Sequence, residues 1–311
     1  MALSLPNVLD PLRRAYGWFL WEFLKDHPRE QQWVLFALRK NYPIFLDYRV
    51  DSKPRYGFGK PPHAALQQML ARHDDDYQRW LSRFAEFEKN FREIPRVAPE
   101  SSTEPRWLNA MLPALDGVSI YGFLAATNPK QYFEVGSGNS TKFAARAIRD
   151  HGLQTTITSI DPMPRAEIDG LCNHIVRKPL EDSDLSVFDA LGPGDVLFVD
   201  NSHRAFMNSD VTVVFLEVLP RLKPGVILGI HDIELPYDYN PNISERYYSE
   251  QYLLAAYLLA GGPHVKPILP AMYASKTPSL HGILSGVWNA PELHGLETHG
   301  TSFWLEIQAP A

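Results

Sequence analysis

Tyr132-Phe133-Glu134-Val135-Gly136-Ser137-Gly138-Asn139-Ser140-Thr141 is the stretch on which the fold turns. A short apolar run meets a glycine turn, and the turn opens the amphipathic segment KFAARAIRD, so the pattern is strand, tight turn, helix. Glycines at 136 and 138 let the backbone bend sharply and approach a ligand with no Cβ in the way. The start of the helix offers free N–H groups to a carboxylate or phosphate. Thr141 stands where a dinucleotide fingerprint places Gly or Ala, which disfavours a nicotinamide cofactor.

Downstream, the β-rich runs TTITSID, HIVRK, DVLFVD and VILGIHD alternate with helical segments such as VTVVFLEVLPRL. That alternation predicts a parallel sheet with helices on both faces. The runs LFV and ILGI are apolar throughout, as strands buried on both faces require. A helix is expected over 246–260, followed by a terminal strand pair, VKPILP near 266–271 and SFWLEI at 302–307, flanking a mobile or capping loop. Upstream, residues 1–100 carry apolar and aromatic residues at helical spacing and predict two or three helices broken by prolines. The proline-bearing segment IPRVAPESSTEPR (94–106) reads as a linker. The expected organisation is a helical N-terminal extension over 1–104 and an α/β domain over 105–311.

Composition bounds the chemistry. With 311 residues, 45% of them hydrophobic and 21% charged, the chain has enough apolar material for a sizeable core. The net charge of −6 is uneven, +3 over residues 1–130 and −9 over 131–311, and an acidic C-terminal part disfavours nucleic acid as a partner. The single Cys172 excludes an intrachain disulfide and any CxxC site. The N-terminal residues lack the pattern of a secretory leader, and no apolar run reaches the roughly 20 residues of a membrane span, so a cytoplasmic protein is expected.

Four strand ends carry residues fit for ligands, and in an open parallel sheet they face one crevice. After Gly136 comes Asp161, about 25 residues beyond the glycine turn, close to the spacing of a carboxylate that grips ribose hydroxyls. Arg177 to Asp182 follows the third strand, where polar and backbone groups would border an adenine ring, with Leu180 among the expected cofactor residues. The fourth strand ends in Asp200-Asn201-Ser202-His203 and the fifth in His231-Asp232. Asp200, His231 and Asp232 join two hard carboxylates to one imidazole, a set suited to magnesium, manganese or a transition metal; alternatively, Asp200 holds its loop or a ligand amine and His231 caps the strand. His203, an imidazole titrating near neutrality, is the expected general base. Tyr121 precedes the first strand and is expected to lie over the cofactor. In the tyrosine-dense stretch 236–252, aromatics would line an acceptor site, with Glu250 or Arg246 binding polar groups.

Together these motifs resemble the class I S-adenosylmethionine-dependent methyltransferases over about residues 105–308. The resemblance implies a Rossmann-like, mostly parallel sheet whose last strand is antiparallel. It implies Glu134, Gly136, Ser137 and Gly138 as the first cofactor motif, Asn139 and Ser140 at the methionine carboxylate, and Asp161 at the ribose. Within the family, GSGNST, the Asp200–His203 turn and IHD are most similar to the small-molecule branch that includes metal-dependent sugar O-methyltransferases. The expected activity is methylation of a small-molecule hydroxyl, with Asp200 and His203 at the reacting centre and a divalent metal, magnesium or a transition metal, as a further cofactor. The rival readings are a nicotinamide-dependent oxidoreductase and a non-catalytic methyltransferase-like scaffold. The N-terminal helices, with Trp18, Trp21, Trp33, Trp80 and Trp107 in or near them, are expected to cover the sheet or a second copy of the chain.

Overall fold

The computed structural model describes residues 44, 50–164 and 166–309. The expectations for Trp18, Trp21 and Trp33 and for the first helices lie outside these residues. Residues 52–311 form one compact unit. It opens with three helices, α1 (Ala64–Ala71), α2 (Asp74–Ala85) and α3 (Glu88–Glu93). On α2 the residues Tyr77, Leu81 and Phe84 recur at helical spacing and are the ones buried. Helix α4 (Ala114–Thr127) is buried from Ala114 to Leu124. Cβ atoms on its Gly117 and Gly122 would lie 2.8 Å from Phe143 and 2.4 Å from Phe84, so the two glycines are what lets these rings seat against the helix.

The sheet has seven strands in the order β3-β2-β1-β4-β5-β7-β6. They are β1 (Gln131–Val135), β2 (Thr156–Ile160), β3 (His174–Val176), β4 (Val196–Val199), β5 (Ile227–Ile230), β6 (Val265–Pro270) and β7 (Phe303–Ile307). The first five pair in parallel, and β7 runs antiparallel between β5 and β6. Every residue of β4 and β5 is buried, as their unbroken apolar runs require. Pro267 and Pro270 sit in the edge strand β6, where a missing N–H is tolerated. Between β1 and β2 lies α5 (Asn139–His151), between β4 and β5 a helix over 210–221 that passes through a π-turn, and between β5 and β6 α6 (Glu250–Leu259).

Two sequence expectations are corrected. The stretch between β6 and β7, expected as a mobile or capping loop, is instead built of short helices at Ala271–Lys276, Pro278–His281 and Ser285–Trp288 and a helical turn at Gly282–Leu284, and its Leu280, Leu284, Val287 and Trp288 join the core. The segment 94–106 is irregular but bound to the sheet domain rather than a tether. Trp107 and Leu108 donate backbone N–H groups to Pro95 and Arg96, Lys142 reaches the Ser102 carbonyl, and Glu104 pairs with Arg146 and Arg149.

Candidate active site

Strand order reverses between β1 and β4, and there the ends of adjacent strands open a crevice. A cleft of about 490 Å³ occupies it, lined by Gly136, Ser137, Gly138 and Asn139 from the first turn, Asp161 after β2, Leu180 after β3 and Asp200 after β4. These predicted cofactor residues thus share one cavity. Its acid is held in place: Asp161 accepts the Ser137 N–H at 2.7 Å through one oxygen and the Met163 N–H at 2.7 Å through the other. Arg177 donates to the Asp161 carbonyl and to Ser159, whose hydroxyl meets that of Ser137 at 2.7 Å. The end of β2 and the glycine turn are therefore locked to each other.

Three predicted cofactor residues lie elsewhere. Glu134 is fully buried beneath the turn, where Tyr132 and Thr141 donate their hydroxyls to its carboxyl and Ser140, also buried, faces the same group. Burial pushes the Glu134 carboxyl up to about 8, against the opposing hydroxyl donors. It shapes the turn and does not line the cleft, and Ser140 points with it. Tyr121 is a core residue: its hydroxyl meets Asp150 at 2.9 Å and His151 at 3.0 Å, and its ring packs against Phe87 and Phe91. An aromatic on a helix that is buried all round had no free face to offer a cofactor.

The upstream segment supplies what the sequence reading missed. Glu100, Arg106, Asn109 and Met111 form a wall of the cleft, and Met163 and Ala166 another. Asn109 fixes its loop by accepting the Met111 and Leu112 N–H groups. These residues carry no periodic signal, and the prolines of 94–106 read as a linker.

Beside the cleft, the ends of β4 and β5 bring Asp200, His203, His231 and Asp232 together. His203 and Asp232 both adopt left-handed backbone, at φ 59° and 52°, which is uncommon for residues with a Cβ. Nε2 of His203 stands 3.2 Å from Asp200 and 3.4 Å from Asp232, while its Nδ1 meets the buried Glu250 carboxylate at 2.9 Å. His231 directs Nδ1 toward Asp200 at 3.3 Å and Asp232 at 3.6 Å, and Nε2 toward Thr301 at 3.2 Å and the buried Asp116 at 3.4 Å. Asp116 in turn accepts the backbone N–H groups of Thr301 and Ser302.

The carboxylates decide the protonation of this cluster. Burial alone would lower the His203 pKa, but Asp200 and Glu250 outweigh it and push it up to about 10. His231 is held well above its usual value by Asp200 and Asp232 against the same burial cost. Burial disfavours the Asp200 carboxylate, yet the two imidazoles hold its pKa far below the usual range. Both nitrogens of His203 thus face carboxylates, so its surroundings differ from those of the free loop imidazole expected of a general base.

The tyrosine-dense stretch reaches the cluster. The Tyr248 ring lies 4.7 Å from that of His203, Tyr239 meets Tyr248 edge-on at 5.7 Å, and the Arg204 and Arg246 guanidiniums lie 5.3 and 5.7 Å from the Tyr248 ring centre. Glu250 is fully buried against His203 and Asn201, and so is not open to an acceptor as the sequence suggested.

Residues 133–233 match the family model described as a methyltransferase domain. No curated protein matches the sequence. Among solved structures, the chain is similar to the S-adenosylhomocysteine-bound methyltransferase PaMTH1 of Podospora anserina, at 13% identity over 78% of this chain and 96% of that one, with a TM-score of 0.39. It is also similar to the O-methyltransferase TomG of Streptomyces achromogenes, at 16% over 74% and 90% with a TM-score of 0.37. A third likeness is an O-methyltransferase from Bacillus cereus, at 13% over 81% and 94% with a TM-score of 0.38. These likenesses are distant. The sheet order and the antiparallel β7 are those of the Rossmann-like fold expected from the sequence, and the family match covers its central part, residues 133–233.

Proposed function

We propose that the chain is an S-adenosylmethionine-dependent methyltransferase acting on a hydroxyl oxygen of a small molecule. The observation that carries this reading is the single cleft joining the glycine turn, the oriented Asp161 and Asp200 at the ends of three neighbouring strands. S-adenosylmethionine, when bound, supplies an electrophilic methyl group on a sulfonium centre. In this reading Asp161 takes the ribose hydroxyls, Leu180 and Met163 border the adenine, and the backbone of 136–139 at the start of α5 takes the methionine carboxylate. Asp200, which lines the cleft and also belongs to the carboxylate–imidazole cluster, marks where cofactor and acceptor meet.

The donor chemistry of that cluster fits a divalent metal. His231 Nδ1 is buried without a hydrogen-bond partner, and Asp200 and Asp232, predicted as ligands with His231, stand beside it. A dication there would hold the acceptor oxygen and lower its pKa. Asp200 and Asp232, about a third exposed, form the part of the cluster open to an acceptor. The Tyr248 ring and its two guanidiniums form an adjoining wall suited to a planar or electron-rich acceptor. The protein's work is then largely positioning for in-line attack.

Calorimetric titration with S-adenosylhomocysteine and, separately, with NAD tests the cofactor; methyl transfer from labelled S-adenosylmethionine across a panel of hydroxylated acceptors tests the reaction. Saturable S-adenosylhomocysteine binding with turnover is expected. Binding of NAD alone would replace the reading with an oxidoreductase, and cofactor binding without any turnover would favour a scaffold.

A further inference from the structure

We propose that His203 and His231 are both metal ligands alongside Asp200 and Asp232, each imidazole turned by its own buried carboxylate, and that this set takes a first-row transition-metal dication in preference to magnesium. The inference rests on the methyltransferase reading for the role of the site, and on geometry for its chemistry.

The two rings are built alike from unrelated parts of the chain. His203 shows Nε2 to the aspartates and Nδ1 to Glu250 on α6; His231 shows Nδ1 to the aspartates and Nε2 to Asp116 on α4. Glu250 and Asp116 are both fully buried. A carboxylate accepting one ring N–H leaves the lone pair of the other nitrogen free, and fixes which way it points. The inward nitrogen of His231 makes no hydrogen bond although it is buried and two carboxylates lie within 3.6 Å. A buried ring nitrogen that makes no hydrogen bond, held between two carboxylates, is placed to give its lone pair to a shared ion.

Spacing supports the same conclusion. The donor atoms of Asp200, His203 and His231 lie within 4.8 Å of one another, and the histidine-to-aspartate distances are 3.2, 3.3, 3.4 and 3.6 Å. Donors at about 2.1 Å from a tetrahedral ion stand about 3.4 Å apart, close to the spacing of Asp200 Oδ1 from each inward ring nitrogen, while Asp232 turns Oδ2 to His203 and Oδ1 to His231. Magnesium favours oxygen donors and retained water, whereas imidazole nitrogen suits the first-row transition dications, with affinity rising from manganese to copper and falling back at zinc. Two imidazoles among four donors therefore shift the preference away from magnesium. Glu250 and Asp116 act as positioning residues, since neither approaches the acceptor.

The test is metal binding by the full chain. Chelator-treated protein is titrated with Co2+, with Mg2+ as competitor, and the Mn2+ form is examined by electron spin-echo spectroscopy for coupling to imidazole nitrogen. One Co2+ per chain that excess Mg2+ fails to displace, with nitrogen coupling in the Mn2+ form, is expected. Glu250→Gln is expected to weaken Co2+ binding by about 10–100-fold while leaving S-adenosylhomocysteine affinity unchanged, which a general loss of structure would not do. Asp116→Asn serves as the second variant. Absence of Co2+ binding, equal displacement by Mg2+, or absence of nitrogen coupling overturns the proposal while leaving S-adenosylhomocysteine binding intact. Nitrogen-coupled metal binding in a protein that fails to bind S-adenosylhomocysteine would instead sink the methyltransferase reading and uphold the metal set.

Discussion

A Cβ added to Gly136 would stand 1.7 Å from the backbone carbonyl oxygen of Asp200. The turn after β1 and the end of β4 are thus in direct backbone contact, and Gly136 also holds φ at +79°, where a side chain is strained. Gly136→Ala is expected to cost at least about 2 kcal/mol of folding stability and to abolish measurable S-adenosylhomocysteine binding, because the cleft floor must open to admit the methyl group. Chemical denaturation and calorimetry read the two effects; a variant with parental stability and affinity would contradict the contact.

Asp161 holds its place through two backbone N–H groups and turns its carboxylate into the cleft. Asp161→Ala removes those charge-assisted bonds and the proposed ribose contact. S-adenosylhomocysteine affinity should fall by about 10–100-fold, the equivalent of about 1.5–3 kcal/mol. An affinity within twofold of the parent would remove Asp161 from the cofactor site.

Tyr121→Phe separates core from cleft. Losing the hydroxyl contacts to Asp150 and His151 should lower stability by about 1 kcal/mol without altering cofactor affinity, since Tyr121 does not line the cavity. A selective loss of affinity at unchanged stability would restore the cofactor role that its sequence position suggested.

Glu134 gives a pH signature. Its folded carboxyl, pushed up by burial to about 8 from an unfolded value near 4.5, binds its proton more tightly in the folded state. Stability is then full at low pH and declines as pH rises between about 5 and 8. Glu134→Gln, which keeps the shape but cannot ionise, should remove that decline. Thermal midpoints of parent and variant should diverge across this window in favour of Gln; a pH-independent difference would show that Glu134 titrates normally in the fold.

The sheet was legible because burial leaves a mark on sequence. The unbroken apolar runs of β4 and β5, the glycine turn at 136 and the acids at 161 and 200 are local, and each sat where its strand ended. The misread residues depended on distant partners. Nothing near Tyr121 announces Asp150 and His151 as its partners, and nothing near His203 announces Glu250, 47 positions on, which meets its Nδ1 and fixes the ring. The wall formed by Glu100, Arg106, Asn109 and Met111 was hidden for the same reason: irregular backbone is defined by what it packs on, and its prolines speak only of what it is not.

Asp116 binds the chain segment before β7 to the imidazole of His231, and β7 itself fills the gap between β5 and β6. Residues 301–307 therefore both complete the sheet and border the His231 ring. Of the seven strands, the one in that gap comes latest in the sequence, so the Gly136 turn precedes by about 165 residues the segment that secures His231. If the proposed ion site is present, a chain stopped at residue 300 should expose the β5 edge to protease and hold no ion.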